Sequence, residues 1–402
     1  MNPALSMNRK YLGRKSGVKK RIAILGSTGS IGVNALDVLS RLRAEFEVIG
    51  LSCGSNIELL ARQAHKFHPK VVCVGDERLT GKIKKALPSG TVIVTGADGL
   101  KEIASRDDLD LLLLAIAGTA SLTPLVEAVK NKIRIALANK EALVSAGPIV
   151  MELATKNKTE IIPVDSEHSA IFQCIEGAGR EFISKIYLTG SGGPLLNISA
   201  KKFNSLTKRD ILRHPKWKMG EKITVDSATM MNKGLEIIEA KYLFDIDEDR
   251  IEVLVHPEAV IHSMVEFVDG AILAQLAVPD MRIPIQYALT YPARQAGDSA
   301  TVDFSRMNKL SFQRPDTGKF PCLELARIAL RLGGTAPAVL CAADEEAVRN
   351  YLDGKIKFFE IPEVIAKVLS RHKNLKGKRV SLGDVLAAAG WAKEEARSIC
   401  CH

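Results

Sequence analysis

The sequence lacks the features that would carry this chain into or across a membrane. No apolar run reaches the roughly 18–20 residues that a membrane span needs. The longest, at residues 109–117, is broken by Asp110 and is more typical of a buried strand. The basic N-terminus also lacks the apolar core of a secretory signal. We therefore predict neither a membrane partner nor secretion.

Cysteine usage argues against a disulfide framework. The seven cysteines are an odd number and include no C-x-x-C pair. Such usage is typical of reduced thiols in a cytosol-like compartment. We predict a cytoplasmic protein, with the bacterial cytosol favoured over an organelle stroma.

The first 20 residues contain no acidic residue and six lysines and arginines. These six account for more than half of the net charge of +10. The remainder of the chain is only mildly basic, so we predict no nucleic-acid partner. We interpret residues 1–20 as a disordered basic tail. The alternative is a DNA-contacting arm on a nucleotide-sensing module, which would bind DNA in a salt-dependent way.

Residues 21–165 alternate short apolar runs with amphipathic stretches. This alternation predicts a parallel sheet covered by helices on both faces, as in a Rossmann-like domain. The predicted strands are 21–25, 46–52, 70–74, 91–94, 110–116, 133–136 and 160–163, and the predicted helices include 31–42, 57–67 and 122–130.

The pattern changes in the second half of the chain. Strand-like runs at 183–188, 251–255, 260–268 and 271–277 follow one another closely, and Asp269-Gly270 indicates a hairpin turn. We predict a second, α+β domain at 166–295, a linker at 296–320 and a helical domain at 321–402. The helices of this last domain are predicted at 322–332, 337–352, 362–372 and 382–397. The predicted fold class is therefore α/β, with these two further domains after the parallel sheet.

A glycine-rich turn, GSTGSIG at residues 26–32, follows the first predicted strand directly and precedes a helix. Glycines permit a tight turn, and a helix N-terminus favours a pyrophosphate. A purely structural glycine turn is the alternative interpretation. An NAD site would place a carboxylate after the second strand, but residues 51–56 contain none and offer Ser55 and Asn56 instead. This favours NADP, although both residues could equally cap a helix.

Two carboxylates, Asp165 and Glu167, follow the last strand of the predicted sheet. Oxygen ligands of this kind suit Mg²⁺ or Mn²⁺, although a solvated acidic loop is a common alternative. Further along, Asn232, Lys233 and Glu236 share one face of a predicted helix. A surface salt bridge would explain Lys233 and Glu236, but the surrounding residues are apolar nearly all round, and embedded polar groups need partners.

Two loops complete the candidate features. TGSGGP at 189–194 offers free amides and a hydroxyl for a phosphate, or forms an ordinary glycine turn. The loop at 213–220 combines basic residues with Trp217, one of only two tryptophans. It could close over an anionic ligand as a lid, or Trp217 could simply pack on the surface.

Together these segments resemble the 1-deoxy-D-xylulose 5-phosphate reductoisomerase family. The matching motifs occur in family order: GSTGSIG at 26–32, LANKEALV at 137–144, PVDSEHSA at 163–170, TGSGGP at 189–194, HPKWKMG at 214–220, DSATMMNKGLEIIEA at 226–240 and HPEAVIHSMVEF at 256–267. The general resemblance spans nearly the whole chain past residue 20.

The resemblance implies a role for each matching residue. The implied cofactor-binding residues are Thr28, Gly29, Ser30, Ile31, Gly54, Ser55, Asn56, Asn139, Glu141 and Gly220. The implied metal ligands are Asp165, Glu167 and Glu236, which together with Lys140 form the implied catalytic set. The implied substrate-binding residues are Lys140, Ser166, Glu167, Ser191, His214, Trp217, Met219, Ser227, Asn232, Lys233 and Glu236.

The resemblance also implies chemistry and assembly. Residues 21–165 would be the NADPH-binding Rossmann-like domain, and residues 166–295 the catalytic and dimerisation domain. A homodimer would use NADPH and Mg²⁺ or Mn²⁺, with Co²⁺ as an alternative, to rearrange and reduce 1-deoxy-D-xylulose 5-phosphate (DXP). The product would be 2-C-methyl-D-erythritol 4-phosphate (MEP), in the non-mevalonate route to isoprenoids. The competing hypothesis is a different NADP-dependent dehydrogenase. A semialdehyde dehydrogenase would need a nucleophilic cysteine, for which Cys174 is the candidate.

Overall fold

The computed structural model describes residues 18–217, 219–375 and 379–401, which form two compact units. The first unit contains the described residues up to Asn139, together with Val150–Asp165 and Met281–Ser299. The second contains Lys140–Ile149, Ser166–Asp280 and the described residues from Ala300 onward. The predicted basic tail lies outside the described residues except for 18–20. Its last residue, Lys20, begins the first strand and was therefore wrongly assigned to the tail.

The first unit is built on a seven-stranded parallel sheet, as predicted. Its strands are β1 (Lys20–Leu25), β2 (Phe46–Cys53), β3 (Val71–Val74), β4 (Val92–Thr95), β5 (Leu111–Leu114), β6 (Arg134–Leu137) and β7 (Ile161–Pro163). The strand order is β4-β3-β2-β1-β5-β6-β7, so the direction of winding reverses between β1 and β5. Ligands of open parallel sheets bind at the carboxyl ends of the strands beside such a reversal.

Helices cover this sheet with their apolar faces. Strands such as β3 and β5 are therefore buried along their whole length. The helices are α1 (Ser30–Arg41), α2 (Ile57–Phe67), α3 (Thr80–Lys84), α4 (Gly96–Ala104), α5 (Leu122–Lys130) and α11 (Arg282–Thr290). Helix α6 (Lys140–Asn157) is divided between the two units. It is kinked at Ala146, where φ is −137°, two residues before Pro148. A proline inside a helix removes a hydrogen bond and clashes with the preceding turn.

The second unit contains a four-stranded sheet in the order β11-β10-β8-β9. Its strands are β8 (Ile183–Gly190), β9 (Ile251–Val255), β10 (Ile261–Phe267) and β11 (Ile272–Leu276). The predicted hairpin joins β10 to β11. Gly270 adopts φ +85° at its turn, and Asp269 Oδ1 accepts a hydrogen bond from the Ala271 amide.

Helices α7 (Ser166–Cys174), α8 (Lys208–Ile211), α9 (Glu221–Thr229) and α10 (Met231–Phe244) belong to the second unit. So do α12 (Cys322–Leu332), α13 (Ala336–Leu352), α14 (Ile361–Arg371) and α15 (Leu382–Cys400), which match the four predicted C-terminal helices. Helix α7 packs on β10 and β11, and α12 packs on α10 and α13. None of the helices in the described part of the chain is long and apolar enough to cross a lipid bilayer.

The two units do not follow the predicted domain boundaries. Helix α11 was assigned to the catalytic domain but packs on α1 in the first unit. Most of the predicted linker, residues 300–320, is part of the second unit. There the backbones of Gln313 and Val255 exchange hydrogen bonds, and the Lys319 ammonium donates to the carbonyl of Leu195. The C-terminal helices cluster with the second sheet because α12 packs against α10. Periodicity identifies a helix, but it does not identify the surface that the helix covers.

Candidate active site

The turn between β1 and α1 requires its glycines. Gly26 has φ +92°, and a Cβ there would lie 2.5 Å from the Ala115 carbonyl oxygen. A Cβ on Gly32 would lie 2.3 Å from the Gly26 carbonyl oxygen. Gly29, which precedes α1, and Ser30, which begins it, are exposed, and the first turn of α1 contains no acidic residue. The amides and the positive end of this helix can therefore receive an anion such as a pyrophosphate.

A buried hydrogen-bond network that the sequence did not reveal holds this turn. Ser52 Oγ accepts from the Gly26 amide at 2.8 Å. Ser27 Oγ donates to Gln63 Oε1 at 2.7 Å, and Gln63 Nε2 donates back to the Ser27 carbonyl at 2.8 Å. Gln63 lies 36 residues from Ser27 in the chain. Only the parallel placement of β1 and β2 makes the pairing possible.

The predicted ribose-binding residues Gly54, Ser55 and Asn56 are exposed after β2. Asn56 Oδ1 accepts a hydrogen bond from the Leu59 amide at 3.1 Å, so it caps α2 as the alternative interpretation held. Thr28 and Ile31 are half-buried in the glycine turn. An uncharged, exposed strand end of this kind tolerates a 2′-phosphate, which a carboxylate would repel.

The remaining predicted cofactor residues fall in different places. Asn139 ends the first of the three segments of the first unit and is buried. Its Nδ2 donates to the Ile116 carbonyl at 2.7 Å, and its Oδ1 accepts from Ser121 Oγ at 2.7 Å. These two hydrogen bonds hold the segment that follows β5, at Ile116 and Ser121, in place. Glu141 and Gly220 belong to the second unit, where Gly220 is the exposed N-cap of α9.

In the second unit, α7 and α10 bring two predicted metal ligands together. Glu167 and Glu236 each offer a carboxylate oxygen within 4.8 Å of the other. The Lys233 ammonium donates to Glu167 Oε1 and to Glu236 Oε2, each at 2.5 Å. Lys233 and Glu236 are both buried, which excludes the surface salt bridge considered above. Asp165, the third predicted ligand, belongs to the first unit, where it ends the segment Val150–Asp165, and it directly precedes α7 in the chain.

Lys140 and Asn232 extend this cluster. The Lys140 ammonium, at the start of α6, lies 3.1 Å from Glu236 Oε1 and 2.8 Å from Asn232 Oδ1. Asn232 Nδ2 donates to Glu236 Oε1 at 2.5 Å, as their four-residue spacing predicted. Ser166 Oγ donates to Glu167 Oε2 at 2.5 Å. Two ammonium groups, two carboxylates and an amide therefore meet in a mostly buried region.

A second pair of buried groups, which the sequence did not reveal, supports α10. His168 is stacked on Phe244, and its Nε2 lies 3.0 Å from the Glu236 carbonyl oxygen. Its Nδ1 lies 3.4 Å from Glu239 Oε2. His168 therefore connects α7 to the backbone of Glu236, whose side chain is shared by Lys140, Asn232 and Lys233.

The predicted phosphate loop lies beside His214 and α9. Ser191 Oγ is 3.2 Å from His214 Nε2 and 3.3 Å from the Gly193 amide. His214 Nδ1 accepts from the amides of Lys216 and Trp217, so Nε2 carries the ring proton. Burial, and then the charge of Lys233, lowers the pKa of His214 to about 4. The ring is therefore a neutral hydrogen-bond donor near pH 7.

Ser227, on α9, lies against the same loop. A Cβ on Gly193, which has φ +68°, would lie 2.6 Å from the Ser227 carbonyl oxygen. In the predicted lid, the Trp217 ring lies 6.0 Å from the His262 ring, and Met219 is half-buried. Two hydroxyls, a ring N–H and a glycine amide are thus available to a phosphate.

Cys174 does not have the character of a nucleophile. It is buried on α7, and burial raises the pKa of its thiol to about 11. A thiol that stays protonated near neutral pH is a poor nucleophile. This argues against the semialdehyde dehydrogenase alternative.

Comparison with known proteins identifies the family. Three protein-family models match this chain. The model "1-deoxy-D-xylulose 5-phosphate reductoisomerase" matches residues 22–147, and "1-deoxy-D-xylulose 5-phosphate reductoisomerase C-terminal domain" matches residues 161–244. The model "DXP reductoisomerase C-terminal domain" matches residues 276–395. The reductoisomerase of Thermoanaerobacter pseudethanolicus is 48% identical over 94% of this chain and 98% of its own. That of Chloroherpeton thalassium is 52% identical over 88% and 92%.

Solved structures agree. The Zymomonas mobilis enzyme in complex with NADPH has a TM-score of 0.88 and 40% identity, covering 95% of this chain and 99% of that one. A reductoisomerase in complex with NADPH, fosmidomycin and magnesium has a TM-score of 0.90 and 38% identity, covering 95% and 98%.

The parallel sheet with its glycine turn and the buried lysine–carboxylate cluster define an oxidoreductase of the dinucleotide-binding α/β class. With these identities along nearly its whole length, the chain belongs to the 1-deoxy-D-xylulose 5-phosphate reductoisomerase family. The predicted family and fold class are confirmed.

Proposed function

We propose that this protein converts DXP into MEP, with NADPH as reductant and a divalent cation as cofactor, in the non-mevalonate route to isoprenoids. The observation that carries the proposal is the buried cluster of Lys140, Glu167, Asn232, Lys233 and Glu236, in a chain of this family. Closely similar structures were solved with NADPH and magnesium.

The donor set fits a divalent cation. Glu167 and Glu236 supply hard carboxylate oxygens close to one another, and Asp165, two residues before Glu167, is the proposed third ligand. When bound there, Mg²⁺ or Mn²⁺ supplies Lewis acidity to the substrate oxygens. Co²⁺ is compatible with the same ligands.

The lysines have separate proposed tasks. The Lys140 ammonium, held by Asn232 and Glu236, stabilises negative charge on a substrate oxygen and can return a proton to it. Lys233 lies between Glu167 and the Thr189 carbonyl, to which it donates at 2.8 Å, and so connects the carboxylates to the phosphate loop. Ser166, bonded to Glu167, contacts the substrate beside it.

The phosphate end of the substrate binds to Ser191, His214, Ser227, Asn232 and Lys233 in this proposal. His214 donates its Nε2 proton as a neutral ring, so its contribution is directional rather than ionic. Trp217 and Met219 cover the bound substrate and exclude water. Binding energy from the phosphate positions the reacting carbons.

NADPH binds with its pyrophosphate at Thr28, Gly29, Ser30 and Ile31, and its ribose phosphate near Gly54, Ser55 and Asn56. The exposed position of Gly29 and Ser30 at the N-terminus of α1 supports the first contact. Asn139, Glu141 and Gly220 are proposed to line the rest of the cofactor site. NADPH held at these residues would supply the hydride that reduces the rearranged aldehyde.

The test treats the protein with a chelator and then adds DXP and NADPH. The loss of the near-ultraviolet absorbance of NADPH measures its oxidation. We expect no oxidation without added metal, and restoration by Mg²⁺ or Mn²⁺. Oxidation that persists after thorough chelation would contradict the metal role. A folded protein inactive with DXP under all conditions would favour the dehydrogenase alternative.

A homodimer is proposed from the exposed edge of the second sheet. Strand β11 lies at that edge, with Ile272 51% and Leu273 50% exposed. Long apolar edge strands are usually covered in soluble proteins, often by a second subunit. A cytoplasmic location is proposed because all seven cysteines are free, five of them buried.

A further inference from the structure

A second group of buried charges, separate from the catalytic cluster, joins α9 to α13. The Lys222 ammonium donates to Asp226 Oδ2 at 2.5 Å and to Asp344 Oδ2 at 2.8 Å. Asp226 is 2% exposed and Asp344 is fully buried. One ammonium, on a side chain that is itself only partly exposed, therefore faces two carboxylates that water hardly reaches.

Further charged and titratable groups surround this cluster in the described part of the chain. Glu141 on α6 lies 3.8 Å from the Lys222 ammonium and adds a further carboxylate. Glu345, beside Asp344, is already paired with Lys393 at 3.0 Å. The thiols of Cys341 on α13 and Cys322 on α12 also lie near the pair, and burial raises the pKa of both, so they remain neutral.

Each aspartate also has an oxygen without a hydrogen-bond partner. Among the described residues, nothing bonds to Oδ1 of Asp226 or to Oδ1 of Asp344, although both atoms are buried. Two ionised carboxylates in this state would carry a large desolvation cost, which one retained proton relieves. Burial, and then the nearby Asp344, raises the pKa of Asp226 to about 8, and burial likewise raises that of Asp344.

Helix α9 connects this cluster to the proposed phosphate site. Asp226 directly precedes Ser227, whose backbone lies against Gly193 too closely for any added Cβ. Gly220, at the end of the proposed lid, caps the other end of the same helix. A small movement of α9 would therefore change the spacing between Ser227 and the Ser191–Gly193 loop.

We propose that Asp226 and Asp344 hold one proton between them at neutral pH, and that the Lys222–Asp226–Asp344 cluster fixes α9, and with it Ser227, for the substrate phosphate. Asp344 is then a positioning residue that touches no substrate. The positioning role rests on the proposed function, whereas the retained proton does not.

The proton makes stability depend on pH in a defined direction. In the unfolded chain both aspartates ionise near pH 4, whereas the folded pair keeps a proton up to about pH 8. The stabilisation is complete below the unfolded pKa and declines as the pH rises towards the folded value. Asparagine at position 344 leaves one ion pair, Lys222–Asp226, and removes this decline.

The experiment measures urea midpoints and the KM for DXP between pH 6 and pH 9.5 in the full-length enzyme. It compares the wild type with Asp344→Asn and with Asp353→Asn, a control at the end of α13 that is 52% exposed. We expect the wild-type midpoint to fall relative to that of Asp344→Asn as the pH rises. We also expect the wild-type KM to rise about threefold or more above pH 8 while that of Asp344→Asn stays constant. Asp353→Asn should follow the wild type.

Parallel midpoint curves for the wild type and Asp344→Asn would overturn the retained proton. A uniform loss of stability with an unchanged KM profile would reduce Asp344 to a structural role. If Asp344→Asn does not fold, Asp226→Asn removes the same charge and carries the same midpoint expectation. A wild type inactive with DXP would refute the proposed function, while the midpoints would still decide the protonation.

Discussion

Glu236 is the residue on which most of the candidate site converges. Its fully buried carboxylate accepts from Lys140, Asn232 and Lys233, and its backbone carbonyl lies next to His168. A carboxylate with this many donors is both strongly stabilised as an anion and closely fixed in position.

We predict that Glu236→Gln lowers kcat by about 10²–10³-fold or more, because one proposed metal ligand and the counter-charge of two lysines are lost. NADPH affinity should stay within about threefold, since the glycine turn lies in the first unit. Steady-state kinetics and NADPH fluorescence titration measure the two effects.

Glu363→Gln, an exposed change on α14, is the matched control and should leave both quantities unaltered. Loss of NADPH binding in Glu236→Gln would contradict the assignment of the cofactor phosphates to the glycine turn.

Some residues of the site could be predicted from the sequence and others could not. Asn232, Lys233 and Glu236 were recognisable because helical spacing alone places them on one face. Gln63, Glu239 and Asp344 were not, since each acquires its partners through tertiary packing. Asp344 lies 122 residues from Lys222, and no local pattern relates the two.

At the scale of elements, the glycine turn shows how tightly backbone geometry constrains the cofactor site. Gly32 lies on the first turn of α1, directly over the Gly26 carbonyl. The helix can approach the strand end only without a side chain at this position.

We predict that Gly32→Ala weakens NADPH binding at least tenfold and lowers the free energy of unfolding by about 2 kcal/mol or more, because the new methyl group would overlap backbone atoms. Isothermal titration with NADPH and urea denaturation measure these changes.

Gly81→Ala on α3 is the control, since a Cβ there meets no atom within 4 Å. It should be neutral or slightly stabilising. If Gly32→Ala binds NADPH as tightly as the wild type does, the turn accommodates a methyl group at position 32, and the predicted overlap with backbone atoms is wrong.

The elements themselves were largely predictable. All seven strands of the parallel sheet, the hairpin at Asp269-Gly270 and the four C-terminal helices appear close to their predicted bounds. The kink of α6 at Ala146 was missed because its apolar residues continue through Pro148. The role of α11 was also missed, since its sequence reveals its apolar face but not that α1 covers it.

In the whole molecule, as far as the described residues extend, two sheet edges carry exposed apolar residues. One is β11 in the second unit, with Ile272 and Leu273, and the other is β4 in the first unit, with Val92 55% exposed. The longer and more apolar edge, β11, is the proposed dimer contact.

We predict that Leu273→Lys converts the protein to a monomer at micromolar concentration, because a charge on each copy would have to be buried at a symmetric interface. Sedimentation velocity measures the state. Val92→Lys, the same change on the other edge, should leave the dimer intact. A Leu273→Lys protein that still sediments as a dimer would contradict the β11 interface.

Domain organisation was the least predictable level. The prediction divided the chain at consecutive boundaries, whereas each compact unit is assembled from three separate segments. A local pattern cannot reveal that residues near position 285 return to the sheet formed by residues 20–163. Only the packing surfaces decide this.

In the proposed reaction, the protein couples a metal-dependent rearrangement of DXP to its reduction by NADPH. The most direct test is to identify the product by NMR and count the NADPH consumed for each molecule formed. We predict one molecule of MEP for each NADPH oxidised, and no product after chelation. NADPH oxidation without MEP, or MEP formed in the thorough absence of metal, would contradict the account.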